Sequence, residues 1–451
     1  LIGKKSNKSL KVNYPLQFLL SIALISLILW SFKRLNFVRN SGISIKELSF
    51  LFLLKLLFGF ALYVIYTQFY TDRSTADIFK YYDDADLLYH HLLTSSPNDY
   101  FKIILGIQGD DPQITAALKN THFWFKPFDT GVFNDNRTII RINMVIRLFS
   151  FGAYHVHAIV FCLMSFLGSL AIFKCFYSVF ASKKWELIIA CFLIPSLLLW
   201  ASSILKESVL IFGIGGLIFS FTRLLHWNHK RKAYVILFIL SILLLSITKT
   251  YVLLILIPGL IAWLLIVKWK IKHVHLTFLI SYGVCILFAF NAYRITPQFD
   301  LGKILQKKQL DFINVARDTK AGSAITITRL DGSLISCLKN SPEALANCIF
   351  RPLPWESNSI FAFFASLENL LIFLLIILAG LYSKKPTDEQ KPYLYFSFYF
   401  VVLLALLIGL TVPVLGAIVR YKVPAMIFLV SFLLLCIDKE KLLLNLKRII
   451  K

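Results

Sequence analysis

Of 451 residues, 58% are hydrophobic and 15% aromatic, and the mean hydropathy is +0.72. That balance excludes a water-soluble globular protein and indicates a polytopic membrane protein. The formal charge of +24 does not point to nucleic acid, because the basic residues sit in short clusters between apolar runs and not on one polar domain.

In chain order, runs long enough to span a bilayer are expected at 16–32, 48–70, 154–180, 187–201, 205–225, 233–248, 251–267, 276–292, 360–382, 393–410 and 423–437, about eleven in all. The runs at 187–201 and 205–225 are candidates for tilted or partly re-entrant segments. The fold class that follows is all-α, a single polytopic transmembrane bundle over residues 1–451 with two long non-cytoplasmic loops forming a cap. The first outer loop covers 71–152 and ends in an interfacial amphipathic helix near 138–151, and the second covers 294–358.

Simple alternation places Lys33, Arg34, Arg39 and Lys46, Lys183 and Lys184, Lys230 to Lys232 by way of Arg231, Lys268, Lys270 and Lys272, Lys384, Lys385 and Lys391, and the tail from Lys439 on one side. That side is the cytoplasm by the positive-inside rule. The basic segment with Lys4, Lys5, Lys8 and Lys11 then falls outside, which points to a preceding helix. Cys337 and Cys348 lie in the second outer loop without a metal-type spacing, and an oxidising compartment there would allow a disulfide between them.

The first outer loop is unusually acidic: it holds Asp72, Asp77, Asp83, Asp84, Asp86, Asp99, Asp110, Asp111, Asp129 and Asp135, a large share of the 24 acids in the chain. Most serve to keep a loop solvated; one carboxylate just above the bilayer could act as a general base. The positive-inside rule leaves several outer cations unexplained: Arg137, Arg141 and Arg147, Lys206 beside Glu207, Lys249, Arg351 and Arg420. Cations at this depth pair, snorkel or serve a ligand, and a phosphate or diphosphate head group is the natural ligand for a set of them. His90–His91 and the His155/His157 pair are not expected to hold a metal, since alternating helical positions face apart. No Gly-rich phosphate loop, His-Glu-x-x-His or Cys-x-x-Cys is present.

Four stretches carry a family resemblance: Asp77-Ile-Phe-Lys-Tyr-Tyr-Asp-Asp-Ala85, Ile194-Pro-Ser-Leu-Leu-Leu-Trp-Ala-Ser-Ser-Ile-Leu-Lys-Glu207, Thr248-Lys-Thr-Tyr251 and Arg420-Tyr-Lys-Val-Pro424. They resemble the GT-C superfamily of integral-membrane glycosyltransferases and the related polysaccharide polymerases. The resemblance implies a polyprenyl-phosphate-linked sugar as donor, no separate cofactor, and a saccharide, lipid or protein acceptor. It implies Asp77 as base, with Asp72 and Asp83 as alternates; the outer cations Arg141, Lys206, Lys249, Arg351 and Arg420, with Tyr251 and Tyr421 beside them, are the candidate phosphate or substrate contacts. A bacterial inner membrane with the active face toward the periplasm is the expected setting. Competing readings are an O-antigen polymerase or ligase, a lipid-linked substrate transporter, and a non-catalytic membrane subunit of an assembly complex; inverted repeats, the mark of many transporters, are not evident.

Overall fold

Among the described residues, eight helices are long and apolar enough to cross a membrane: Pro15–Arg34, Ile45–Gln68, Tyr154–Tyr177, Lys206–Leu225, Arg231–Trp269, Val274–Arg294, Ile360–Leu381 and Lys391–Thr411. A ninth crossing is available if Leu415–Tyr421 and Val423–Cys436, bent by 65° at their junction, act as one span. The computed structural model describes residues 14–69, 73, 76–93, 95–107, 112–125, 134–225, 231–357 and 359–449. It is an all-α integral membrane protein; its β pairing among these residues is confined to two isolated bridges.

The difference from the eleven expected runs lies in two places. The run at 187–201 is broken into Lys184–Ile188, a π-helical turn Ile189–Leu193 and Pro195–Trp200. Pro195 has no amide hydrogen to continue a helix, and Ile194 before it is extended at φ −67°, ψ 124°. The runs at 233–248 and 251–267 lie on one 39-residue element, Arg231–Trp269, whose backbone leaves helical geometry at Lys249 (φ −151°, ψ 79°). At about 1.5 Å per residue, each arm beside Lys249 is roughly 27–30 Å long, close to the thickness of a ~30 Å hydrocarbon core.

The centre of the bundle is Tyr154–Tyr177 packed on Lys206–Leu225, which are the most buried of the candidate spans. Two glycines make that crossing possible. A Cβ on Gly215 would lie 2.2 Å from the Gly168 carbonyl oxygen, and one on Gly168 would lie 2.3 Å from that of Ile211. Close backbone approach between small residues is how spans gain packing without a hydrophobic driving force. Gly215→Val is therefore expected to cost about 1–3 kcal/mol, read as a fall in the thermal unfolding midpoint in detergent; an unchanged midpoint would refute the close crossing.

The first outer loop folds as a layer of its own. Asp77–Leu88, Pro97–Leu105 and Asn136–Ser150 bury Ile78, Phe79, Tyr81, Leu88, Tyr100, Ile103, Ile139, Ile140 and Met144 together. A helix, Asn136–Ser150, forms where one was expected near 138–151. It is pinned to the next span by a buried chain in which His157 bridges Ser150 Oγ and Asn143 Oδ1, each at 2.8 Å. The second outer loop contains Leu301–Asp318, an extended stretch at 324–331, Leu334–Lys339 and Ser341–Phe350. The expected Cys337–Cys348 disulfide is not formed: both thiols are free, and they are buried in different apolar clusters, Cys337 with Leu330 and Leu410, Cys348 in the main core.

Both outer loops reach one end of the bundle, at the short helix Leu415–Tyr421. Asp77 of the first bonds Arg420; from the second, the Ile325 amide donates to the Pro413 carbonyl at 2.8 Å and Phe312 packs on Tyr421. Several of the basic clusters expected to share a side also meet one another. Lys183 donates to the carbonyls of Leu434, Leu435 and Ile437, Lys184 pairs with Glu47, and Lys439 pairs with Glu186.

Candidate functional site

Six charged side chains from five separate elements meet at the end of the bundle where the outer loops gather. Asp77 is the first residue of Asp77–Leu88, placed there by an extended Ala76. Its Oδ2 accepts from Arg420 Nη1 at 2.6 Å. Arg420 Nε lies 3.0 Å from Glu207 Oε1, an ion pair whose alignment falls short of a hydrogen bond. Glu207 and Lys206 open Lys206–Leu225, after the irregular stretch that follows Pro195–Trp200. Lys206 Nζ is 2.6 Å from Asp135 Oδ2, and Lys249 Nζ is 3.4 Å from the same oxygen. Asp135 precedes Asn136–Ser150, which is tied to the broken helix by the Thr138 hydroxyl donating to the Ile247 carbonyl at 2.6 Å.

Among the described residues these three carboxylates match three cations, as charges withdrawn from bulk water favour. Aromatic rings close the cationic side: Lys249 lies over Tyr421 at 4.9 Å and Tyr251 at 5.6 Å, and Arg420 over Trp200 at 6.0 Å. The acids differ in access. The Asp77 side chain is 32% exposed, that of Glu207 3%. Glu207 Oε2 is buried with no hydrogen-bond partner among the described residues. Burial pushes the Asp77 carboxyl up, but the charge and hydrogen bond of Arg420, with Lys206 and Lys80 beyond, outweigh it and hold the group below its ordinary value. Asp77 is thus an anion at neutral pH.

Of the residues expected from sequence, Asp77, Lys206, Lys249, Tyr251, Arg420 and Tyr421 are brought together. Arg351 is elsewhere, bound to Glu356 at 2.5 Å and to Asn347 at 3.1 Å. Arg141 is also elsewhere; it donates from Nε to the Ile103 carbonyl at 2.8 Å and lies over Trp124. Asp83 is taken by Arg73 at 2.6 Å, near the surface, so it is not part of the cluster. Asp72 lies outside the described residues. Asp84 has a structural task, accepting the amides of His122 and Phe123 at 2.7 and 2.8 Å. Burial drives its carboxyl up against the pull of those amides. Arg147 pairs with Asp86 at 2.5 Å.

Two members of the cluster, Glu207 and Asp135, were noted in the sequence but given no role in the site. The signal for Glu207 was its place beside Lys206 at the start of an apolar helix, where a carboxylate is costly without a distant partner. Among the described residues no group of three or more His, Cys, Asp or Glu side chains is placed to hold a metal ion. His155 and His157 do face apart, the first against Tyr63 and Phe60, the second into the Ser150–Asn143 chain. Comparison with family models, with curated proteins and with solved structures finds no match.

Proposed function

We propose that the chain is a membrane glycosyltransferase that takes a sugar from a polyprenyl-phosphate donor on the non-cytoplasmic face and passes it to a hydroxyl of a saccharide, lipid or protein acceptor. The observation that supports this most is the convergence of Arg420, Lys206 and Lys249 beside a partly open carboxylate, Asp77, where both outer loops meet. In a bacterial inner membrane this end would face the periplasm, which fits the basic clusters gathered at the other end.

The chemistry asked of these residues is limited. Asp77 removes the proton from the acceptor hydroxyl, the acceptor oxygen bonds to the anomeric carbon with inversion, and the bond from that carbon to the phosphate oxygen breaks. The leaving phosphate keeps the electron pair, and Arg420 and Lys249 stabilise the charge that grows on it. The resting Asp77–Arg420 pair makes Asp77 a weak base. A donor phosphate that shares the Arg420 guanidinium weakens that hold and returns basicity to Asp77 at the moment it is needed. Fork geometry suits arginine to this exchange, since one guanidinium can meet a carboxylate and a phosphate on different edges.

The test is direct. Purified protein in lipid nanodiscs, given a labelled polyprenyl-phosphate sugar and an alkyl glycoside acceptor, is expected to release polyprenyl phosphate and labelled glycoside in equal amounts. Release that persists undiminished in Arg420→Ala protein of unchanged thermal stability would remove the phosphate role.

A further inference from the structure

Several arginines near the outer loops are matched with acids: Arg73 with Asp83, Arg147 with Asp86, Arg317 with Asp318, Arg351 with Glu356, and Arg420 with Asp77 and Glu207. The exposed Arg294 and Arg329 have no acid partner among the described residues, and Arg137 and Arg141 stand without one although both are half-buried. They stand one turn apart on Asn136–Ser150, both guanidinium groups lie 5.4 Å from the centre of the Trp124 ring, and no carboxylate among the described residues pairs with either. Each uses its Nε to hold a backbone carbonyl, Arg137 that of Trp124 at 3.1 Å and Arg141 that of Ile103 at 2.8 Å. The two-pronged ends of both forks have no hydrogen-bond partner among the described residues. Like charges at i and i+4 oppose helix formation. Burial and the neighbouring Arg137 charge both pull Arg141 below its usual value, so the pair is held together against repulsion.

The helix surface beyond them continues as hydrocarbon. Positions four apart drift about 40° around an α-helix, so from Arg141 the helix surface winds on through Val145 and then Phe149, about 80° round, which are 42% and 72% exposed. Phe101, Leu105 and Ile107, at and just beyond the end of the helix that Arg141 caps, are exposed as well. Two unneutralised guanidinium forks at one end of an exposed apolar stripe, on a helix that leads straight into a span, match a molecule with an oxyanion head and a hydrocarbon tail.

We infer that Arg137 and Arg141 form a binding site for the phosphate of a membrane lipid, with the lipid chain lying along Val145 and Phe149, separate from the Asp77–Arg420 cluster. Two guanidinium groups beside one ring suit the several oxygens of a tetrahedral phosphate ester better than a single planar carboxylate. The phosphate could belong to a glycerophospholipid of the outer leaflet or to an isoprenoid-linked substrate; both are phosphate esters on long hydrocarbon.

The full chain in neutral detergent would be titrated, by calorimetry, with dihexanoyl phosphatidic acid, geranyl phosphate, dihexanoylglycerol and inorganic phosphate. At least one of the two lipid phosphates is expected to bind about tenfold or more tightly to the natural protein than to the Arg137→Gln/Arg141→Gln protein. The tighter of the two identifies the source. Phe149→Ser, a change at an exposed position that leaves both arginines and the core intact, is expected to weaken the same ligand several-fold, and the neutral diglyceride is expected not to bind. Equal affinity in the natural and double-variant proteins overturns the site, as does inorganic phosphate binding as tightly as the lipid phosphates. If the double variant fails to fold, Phe149→Ser and the charge-retaining Arg141→Lys decide: affinity unchanged in both overturns it. The readout is binding, so it stands or falls apart from glycosyl transfer.

Discussion

Asp77→Asn is expected to lower the rate of glycosyl transfer by about 10²–10⁴-fold, the usual loss when a general base is removed, while the protein keeps nearly its full thermal stability. Asparagine has the size of aspartate and can still accept from Arg420, so the 2.6 Å contact survives in neutral form. What disappears is the site for the acceptor proton. The position is partly open to solvent, which limits what its charge contributes to folding. A cluster that serves only to tie the loops together predicts the reverse: normal turnover and a fall in stability. Full activity in Asp77→Asn protein would sink the assignment. The pH dependence follows from the same pairing. Because the folded-state value lies below the ordinary 3.8, the ion pair adds stability above that pH and loses it as pH falls through the lower folded value. The acid limb of kcat/KM, which reports the free enzyme, should lie correspondingly low.

Glu207→Ala is expected to act on stability first. This carboxylate is almost completely enclosed and neutralises a guanidinium that is itself nearly enclosed. Removing one partner of a buried pair typically costs about 3–5 kcal/mol, because the other charge is left behind. Arg420 would then depend on Asp77 alone, the more open of its two acids. A chemical unfolding series in detergent measures the loss, and a change under about 1 kcal/mol would mean that Glu207 behaves like an exposed partner. Together the two substitutions sort the acids of one cluster by task, Asp77 by turnover and Glu207 by stability.

Part of this was legible in the residues. Lys206, Lys249 and Arg420 stood out because the positive-inside rule could not account for them, and Asp77 because it opens an acidic stretch at a membrane boundary. Their partners were harder to see. Asp135 meets Lys206 and Lys249 from a different element, and neither periodicity nor charge balance says which of many loop acids will do so. The same limit holds for Arg141 and Arg351, which lie apart from the cluster: depth in the membrane shows that a cation needs something, but not whether it is a ligand, a carbonyl such as that of Ile103 or an acid such as Glu356. Span counting failed at the Pro195 break because apolar content alone does not distinguish a straight crossing from a broken one, although the proline itself marked the place.

The seven-residue helix Leu415–Tyr421 carries more than Arg420. Its first residue follows Val414, which bridges to Ala324, the Leu415 amide donates to the Ser323 carbonyl at 2.9 Å, and Tyr421 at its far end touches Phe312, so the second outer loop is fastened to it at both ends. The first loop is fastened to the same short helix through the Asp77–Arg420 pair. Any molecule that draws Arg420 away from Asp77 therefore loosens one loop from a rod that the other still grips. By thermodynamic reciprocity, whatever clamps the two loops together must weaken that molecule's hold by the same factor. Cross-linking the loops would thus be felt as a change in apparent affinity for an anion, with no alteration to the groups that touch it.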